Sequence, residues 1–237
     1  MPGFRFKQFN IEQDRCAMKV GTDGVLIGSW CNTTGVKTVL DVGCGTGLIA
    51  LMVAQRCNGE ATITGLEIDR EAAEQAKENV AGSPWSKTVT IIHTSMQDYR
   101  PDTTIDLVVS NPPYFTNALK APDAKRSAAR HNDSLSVEDL VHFAKQHLSA
   151  TGRLSVVLPC EEAKRLVFEG IACGLYLQRT TSVQTKANKQ PKRMLVELGK
   201  EKAPSPQEDT LVLGEGADNK MTTQFKALVR DFYLYVD

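Results

Sequence analysis

A strand that turns through a glycine loop into a helix constrains this chain more than any other feature it carries. Thr38 to Val42 reads TVLDV, a short buried strand; Asp41-Val42-Gly43-Cys44-Gly45-Thr46-Gly47 turns the chain, and a helix is expected from about Gly47 to Arg56. Glycine permits positive φ and carries no Cβ, so a ligand can come close to such a backbone, and the following helix N-terminus aims N–H groups at an anion.

The same rhythm repeats downstream. Ala61 to Ile68, Thr88 to His93, Ile105 to Ser110 and Arg153 to Leu158 read as strands, separated by helical stretches at Arg70 to Val80 and at Ser136 to Leu148, where Ser136 is the cap. A helix over Glu161 to Cys173 follows. Strands alternating with helices predict a parallel sheet covered on both faces. After Cys173 the pattern changes: Tyr176 to Val183, Arg193 to Leu198 and Thr210 to Leu213 are strand-like with no helix between them, which predicts an antiparallel edge. Lys200 to Asp209 reads as a loop, Thr222 to Arg230 as a closing helix and Phe232 to Tyr235 as an anchored tail. Residues 1–35 then form a short N-terminal cap and 36–237 the main domain.

With 237 residues, 41% of them apolar, the chain can bury a full core. Its formal net charge is zero, so a nucleic-acid partner must be met by a local patch. Cys16, Cys31, Cys44, Cys57, Cys160 and Cys173 show no metal-type spacing and read as reduced thiols of a cytoplasmic protein. The N-terminus carries no apolar signal segment, and no run is long enough to cross a bilayer.

Glu67 lies 24 residues after Gly43, at the end of the second strand, where a carboxylate accepts hydrogens from ribose hydroxyls. Gly43, Gly45 and Gly47 follow a G-x-G-x-G spacing and are preceded by Asp41. An acid there repels a pyrophosphate and suits the ammonium of a methionine-like tail, which favours S-adenosylmethionine over NAD. Asp69 competes with Glu67 for the ribose, the alternative being a helix N-cap. Asp98 follows the third strand, at the expected place of an adenine amino group; its alternative is a solvated loop carboxylate.

Asn111-Pro112-Pro113-Tyr114 directly follows the fourth strand. The lone pair of an aromatic amino group is delocalised into the ring, which makes it a poor nucleophile. The side-chain oxygen of Asn111 and the backbone carbonyl of Pro112 accept its hydrogens and localise the pair, while Tyr114 stacks on the base. Such a site supplies orientation and matched dipoles rather than a strong base.

The loop at Asp41–Gly47 together with Asn111–Tyr114 resembles the class I S-adenosylmethionine-dependent amino-methyltransferases. That resemblance implies a Rossmann-like α/β fold with a seven-stranded, mostly parallel sheet and an antiparallel edge strand. The N-terminal stretches Phe6–Phe9 and Asp14–Gly24, with the ending Arg230–Leu234, resemble more narrowly the bacterial tRNA1(Val) adenine-N6-methyltransferases, which act on the adenosine 3′ of the anticodon. By this resemblance Lys19, Thr22 and Asp23 close over the cofactor, Asp41, Gly43, Gly45, Gly47, Glu67 and Asp98 bind it, and Asn111, Pro112 and Tyr114 carry the chemistry. The implied partner is tRNA, met by a monomer.

Two basic segments are candidates for the RNA. One holds Lys186, Lys189, Lys192 and Arg193; the other begins at Phe115 and includes Lys125, Arg126 and Arg130. The plain alternative for each is a solvated loop. The stretch from Phe115 to Asn132 is long and poor in helix signals, and is expected to order on RNA.

Rival readings use the same tetrapeptide on other amines: a release-factor glutamine or an rRNA guanine N2. The first usually carries a helical domain ahead of the fold, where this chain has about 35 residues of a different composition. From another class come a nucleotide-binding oxidoreductase, opposed by Asp41 and by the lack of a Tyr-x-x-x-Lys pair, and a non-catalytic binding module, which has no use for Asn111–Tyr114.

Overall fold

A computed structural model describes residues 3–113, 135–216, 218 and 220–236. Strands β3 (Thr38–Val42), β4 (Thr62–Glu67), β5 (Val89–His93), β6 (Ile105–Ser110), β7 (Leu148–Pro159), β8 (Tyr176–Gln184), β9 (Arg193–Gly199) and β10 (Gln207–Val212) form one eight-stranded sheet in the order β10-β8-β9-β7-β6-β3-β4-β5. Successive residues of a strand point to opposite faces. Val39, Leu107, Val157 and Leu195 therefore enter one core, while their neighbours Leu40, Val108, Val156 and Val196 enter the other.

Helices α1 (Thr22–Trp30), α2 (Leu48–Arg56), α3 (Arg70–Ala81) and α6 (Thr223–Val229) cover the first core. Helices α4 (Val137–His147) and α5 (Cys160–Ala172) cover the second. The caps expected from sequence are formed. Asp69 Oδ1 accepts the Ala72 N–H at 2.8 Å. Ser136 Oγ accepts the Asp139 N–H at 3.0 Å and Asp139 Oδ2 accepts the Ser136 N–H at 3.3 Å, a reciprocal box that opens α4.

Two details of the sheet differ from expectation. It has eight strands rather than the seven the resemblance implies: the run read at Thr210–Leu213 is the eighth, and it begins at Gln207, inside the predicted loop at Lys200–Asp209, pairing with β8 in parallel register from Gln207↔Arg179 onward. The antiparallel strand is also internal: β9 lies between β7 and β8 and runs against both. Gln207, Glu208 and Asp209 are exposed. Charged residues on an edge strand prevent pairing with other chains, and that composition reads as loop.

The sequence pattern does not predict helix α1. Every residue from Gly24 to Trp30 is buried, so it shows no polar face and no amphipathic period. Its C-terminal end is tied to the sheet by polar contacts. The Trp30 indole N–H donates to Thr181 Oγ1 at 2.9 Å, and the Arg179 guanidinium lies 3.7 Å from the centre of the ring. Glu197, 2% exposed, accepts from Ser155 Oγ at 3.0 Å and the Asn32 N–H at 3.3 Å, with Arg179 at 3.4 Å and Arg153 at 3.8 Å.

Ahead of α1, β1 (Phe4–Arg5) and β2 (Asn10–Ile11) pair as a small hairpin. Phe6 stacks on Phe9 at 4.7 Å and forms a bridge with Tyr233, and the Lys7 N–H donates to Phe232 O at 2.8 Å. The tail is thereby anchored to the N-terminal arm through buried Phe232. A further two-stranded ribbon, β11 (Gly214–Glu215) with β12 (Lys220–Met221), precedes α6. No helix among the described residues is long and apolar enough to cross a membrane.

Candidate active site

The central register sets the site. Val42 at the end of β3 is paired with Ser110 at the end of β6, and Ser110 Oγ donates to Val42 O at 2.7 Å. Gly43 and Asn111 therefore leave the sheet side by side, at its C-terminal edge, where ligands bind in open parallel sheets. Two cavities open there, of about 370 and 360 Å³, and Met18, Gly43, Gly45 and Asn111 line both.

The first cavity has apolar walls from Leu66, Ile68, Met96 and Leu135, with Glu67 and Asp69 on one side. Glu67 Oε2 accepts the Gly45 N–H at 2.8 Å and Oε1 accepts the Asp69 N–H at 2.9 Å, so the acid is oriented by the loop it serves. Each carboxylate oxygen keeps further acceptor capacity for a hydroxyl. The second cavity is bounded by Gly21 to Gly24 at the start of α1 and by Thr46, Leu48 and Ile49 at the start of α2. Neither helix has a side-chain cap. Two helix N-termini converging on one cavity favour an anionic group there.

Gly43 and Gly45 have φ of +70° and +54°, and a Cβ on either would meet nothing within 4 Å. The loop has open space where its side chains are missing, a cradle for a guest. Gly47 differs. At φ +80° it opens α2 and lies against Ala76, 3.6 Å from the position its Cβ would take, and it lines neither cavity. It packs α2 against α3 instead of facing the open space beside Gly43 and Gly45.

Asp41 lies behind the two cavities. It is completely buried, lines neither cavity, and its Oδ2 accepts the Ala50 N–H at 3.0 Å. Burial pushes its carboxyl up to about 7. Because Asp41 is the fourth residue of a five-residue strand, its side chain points beneath the loop, under the first turn of α2. Oδ1 has no partner among the described atoms. Asp98 is exposed and held by Ser95, whose Oγ–H donates to Oδ2 at 2.7 Å; Thr94 to Gln97 line the first cavity in its place.

Lys19, Thr22 and Asp23 do line the second cavity. The Lys19 ammonium, however, donates to Gln13 O at 2.5 Å and Cys16 O at 2.7 Å, so it shapes the arm itself. Asp23 Oδ2 accepts from Arg193 Nε at 2.7 Å. Arg193, expected on the RNA surface, is thereby paired with a residue that lines the second cavity. Lys189 and Lys192 are exposed on the turn between β8 and β9, and Lys186 Nζ donates to Gly216 O at 3.2 Å. That turn lies on the same edge of the sheet as Asn111, because Pro159 pairs with Arg193 and Ser110 with Val156.

Asn111 is half-buried and lines both cavities; Pro112 is buried and Pro113, rather than Pro112, lines the first. Tyr114, Phe115, Lys125, Arg126 and Arg130 lie outside the described residues, as does the whole Phe115–Asn132 stretch. Sequence reasoning does not find Cys16, Met18, Ile68 or Thr94–Gln97 as wall residues. The last group follows directly on the third parallel strand, a position where ligand contacts are expected on topological grounds.

Comparison with known proteins bears on this arrangement. A family model described as methyltransferase small domain matches residues 24–169. The chain is similar to the tRNA1(Val) (adenine(37)-N6)-methyltransferase of Bacteroides thetaiotaomicron, 43% identical over 235 residues that cover 99% of this chain and 98% of that protein. It is similar to the protein of the same name from Trichodesmium erythraeum, 46% identical over 234 residues, 98% of this chain and 97% of that one. Among solved structures, a predicted O-methyltransferase from Agrobacterium tumefaciens superposes with a TM-score of 0.64 at 20% identity, covering 90% of this chain and 98% of that chain, a likeness of fold.

Proposed function

Because this chain belongs to the tRNA1(Val) (adenine(37)-N6)-methyltransferase family, we propose that it transfers a methyl group from S-adenosylmethionine to N6 of an adenosine in tRNA. The observation that carries this reading is Asn111 at the junction of two cavities suited to the two halves of that cofactor. Leu66, Ile68, Met96 and Leu135 would hold the adenine, and Glu67 would accept from the ribose hydroxyls. The N-termini of α1 and α2 would take the carboxylate of the methionine tail, with the Asp23 carboxylate close to its ammonium. The open cradle at Gly43 and Gly45 fits the bend between these halves.

When bound, the sulfonium supplies an already activated methyl group. The chain's own task is to present the adenine amine. The Asn111 amide oxygen and the Pro112 carbonyl accept the two N–H hydrogens, which localises the nitrogen lone pair, and Tyr114 completes the same tetrapeptide as the stacking partner. Positioning of this kind, with donors and acceptors fixed in advance, is what methyl transfer requires of a protein. Lys186, Lys189 and Lys192 would meet phosphates beside the flipped base. A tRNA substrate implies the cytoplasm.

Nucleoside mass spectrometry of tRNA from cells lacking the protein tests the reading: one N6-methyladenosine should disappear and return with the wild-type gene. An unchanged nucleoside profile would reject it. Asn111→Ala should lower kcat by about 100- to 1,000-fold, the usual cost of one transition-state hydrogen-bonding group, while cofactor affinity stays within about threefold. Loss of cofactor binding instead would mean that Asn111 is misassigned.

A further inference from the structure

Helix α3 turns two amide side chains, Gln75 and Asn79, inward one turn apart, and they are 1% and 6% exposed. Both are long-range polar anchors in a face otherwise made of Ala72, Ala73, Ala76 and Val80. Asn79 pairs with Glu12 as a neighbouring strand would. Its Oδ1 accepts the Glu12 N–H at 2.8 Å and its Nδ2 donates to Glu12 O at 2.8 Å. The same Nδ2 also donates to Thr46 O at 2.9 Å, inside the glycine loop. One side chain therefore joins α3, the N-terminal arm and the cofactor loop.

Gln75 grips the arm three residues further on. Its Oε1 accepts the Arg15 N–H at 3.0 Å, and its Nε2 donates to Asp14 Oδ1. From there the arm folds back on itself: Gln13 Oε1 accepts the Val20 N–H at 2.7 Å, and the Lys19 ammonium reaches the carbonyls of Gln13 and Cys16. The resulting loop supplies Cys16, Ala17 and Met18 to the first cavity and Met18 to Asp23 to the second. Buried amides remain satisfied only while the arm is docked, since burying an unpaired amide is costly.

We propose that Gln75 and Asn79 are positioning residues for cofactor binding: they dock residues 12–16 of the arm on α3 and on the glycine loop, and so complete the wall shared by the two cavities. The inference rests on the methyl-transfer reading for the identity of the guest. Neither residue touches a cavity itself, so both act through the arm and through Thr46.

The test measures binding of S-adenosylhomocysteine by titration calorimetry to the full-length chain, with hydrogen–deuterium exchange of the arm. Gln75→Leu and Asn79→Leu place apolar side chains of good helix propensity where the amides stood and cannot pair. Each removes two or three hydrogen bonds, which should weaken binding about tenfold or more and speed exchange at Glu12, Arg15 and Val20, with kcat unchanged at saturating cofactor. If the leucine variants fail to fold, a charge-matched pair decides. Gln75→Glu sets two carboxylates against each other at Asp14 and should weaken binding; adding Asp14→Asn restores a donor and should recover it. Wild-type affinity in the leucine variants, or in Gln75→Glu, or no recovery in the double variant, would overturn the assignment. A wild-type chain that does not bind S-adenosylhomocysteine would overturn the methyl-transfer reading and the assignment with it.

Discussion

Replacing Asp41 by Asn should flatten the pH dependence of stability. The carboxyl is completely buried, receives one backbone hydrogen bond from Ala50, and is held at about 7 instead of 3.8 because burial disfavours its charged form. The sign follows from proton counts. Between pH 3.8 and 7 the native chain keeps this proton while the unfolded chain has lost it, so folding stability falls as pH rises through that window and levels off above it. At 1.36 kcal/mol per pKa unit, the ionised group costs about 4 kcal/mol at pH 8 relative to acid. The amide introduced by Asp41→Asn cannot ionise, and its oxygen still accepts the Ala50 N–H. The added N–H₂ offsets part of the gain, by about 1 to 3 kcal/mol for an unpaired buried donor. Urea titrations at half-unit steps from pH 4.5 to 8.5 should show wild-type stability declining toward neutrality against a flatter variant, the difference growing with pH. Parallel curves for the two chains would refute the reasoning and mean that Asp41 is ionised throughout.

Gly45→Ala tests the cradle. The fold has room for the methyl group, and the φ of +54° costs an L residue about 1 kcal/mol, so the melting point should move little while S-adenosylhomocysteine affinity falls about tenfold; unaltered affinity would remove Gly45 from the binding surface. Glu197→Ala leaves Arg179 and Arg153 beside an emptied buried position and should cost about 3 to 5 kcal/mol in urea denaturation, and a loss below 1 kcal/mol would mean that water takes over the role of the acid. Neutralising Lys189 and Lys192 together, with Arg193 left to hold Asp23, should reduce the slope of log K for tRNA against log salt by roughly 1.4 to 1.8. Filter binding from 50 to 200 mM salt reads this directly, and an unaltered slope would return the turn to ordinary surface.

Local signals carried most of the sheet and several of the residues that line the two cavities. The buried runs at Thr38–Val42 and Ile105–Ser110, the N-cap at Asp69 and the box at Ser136 are decided by neighbours in sequence, and the structure places them within a residue or two of expectation. Gly43, Gly45, Glu67 and Asn111 are legible for the same reason: a loop or strand end at the C-terminal edge of a parallel sheet is a ligand position whatever surrounds it.

Tertiary packing decided the rest. An apolar segment such as Gly24–Trp30 becomes a helix only because α2 and the sheet enclose it on all sides, and a segment as polar as Gln207–Asp209 becomes a strand only because β8 presents a free edge. Strand alternation turns Asp41 under α2, where its carboxyl meets the Ala50 N–H, and Arg193 meets Asp23, 170 residues away in sequence. Gln75 and Asn79 sit in a helix whose composition looks like solvated surface, and the arm that folds over them, together with Thr46 of the glycine loop, gives their amides partners. Periodicity and spacing report what a residue's neighbours in the chain require, whereas the partner of a buried polar group is chosen by segments that meet only once the chain has folded.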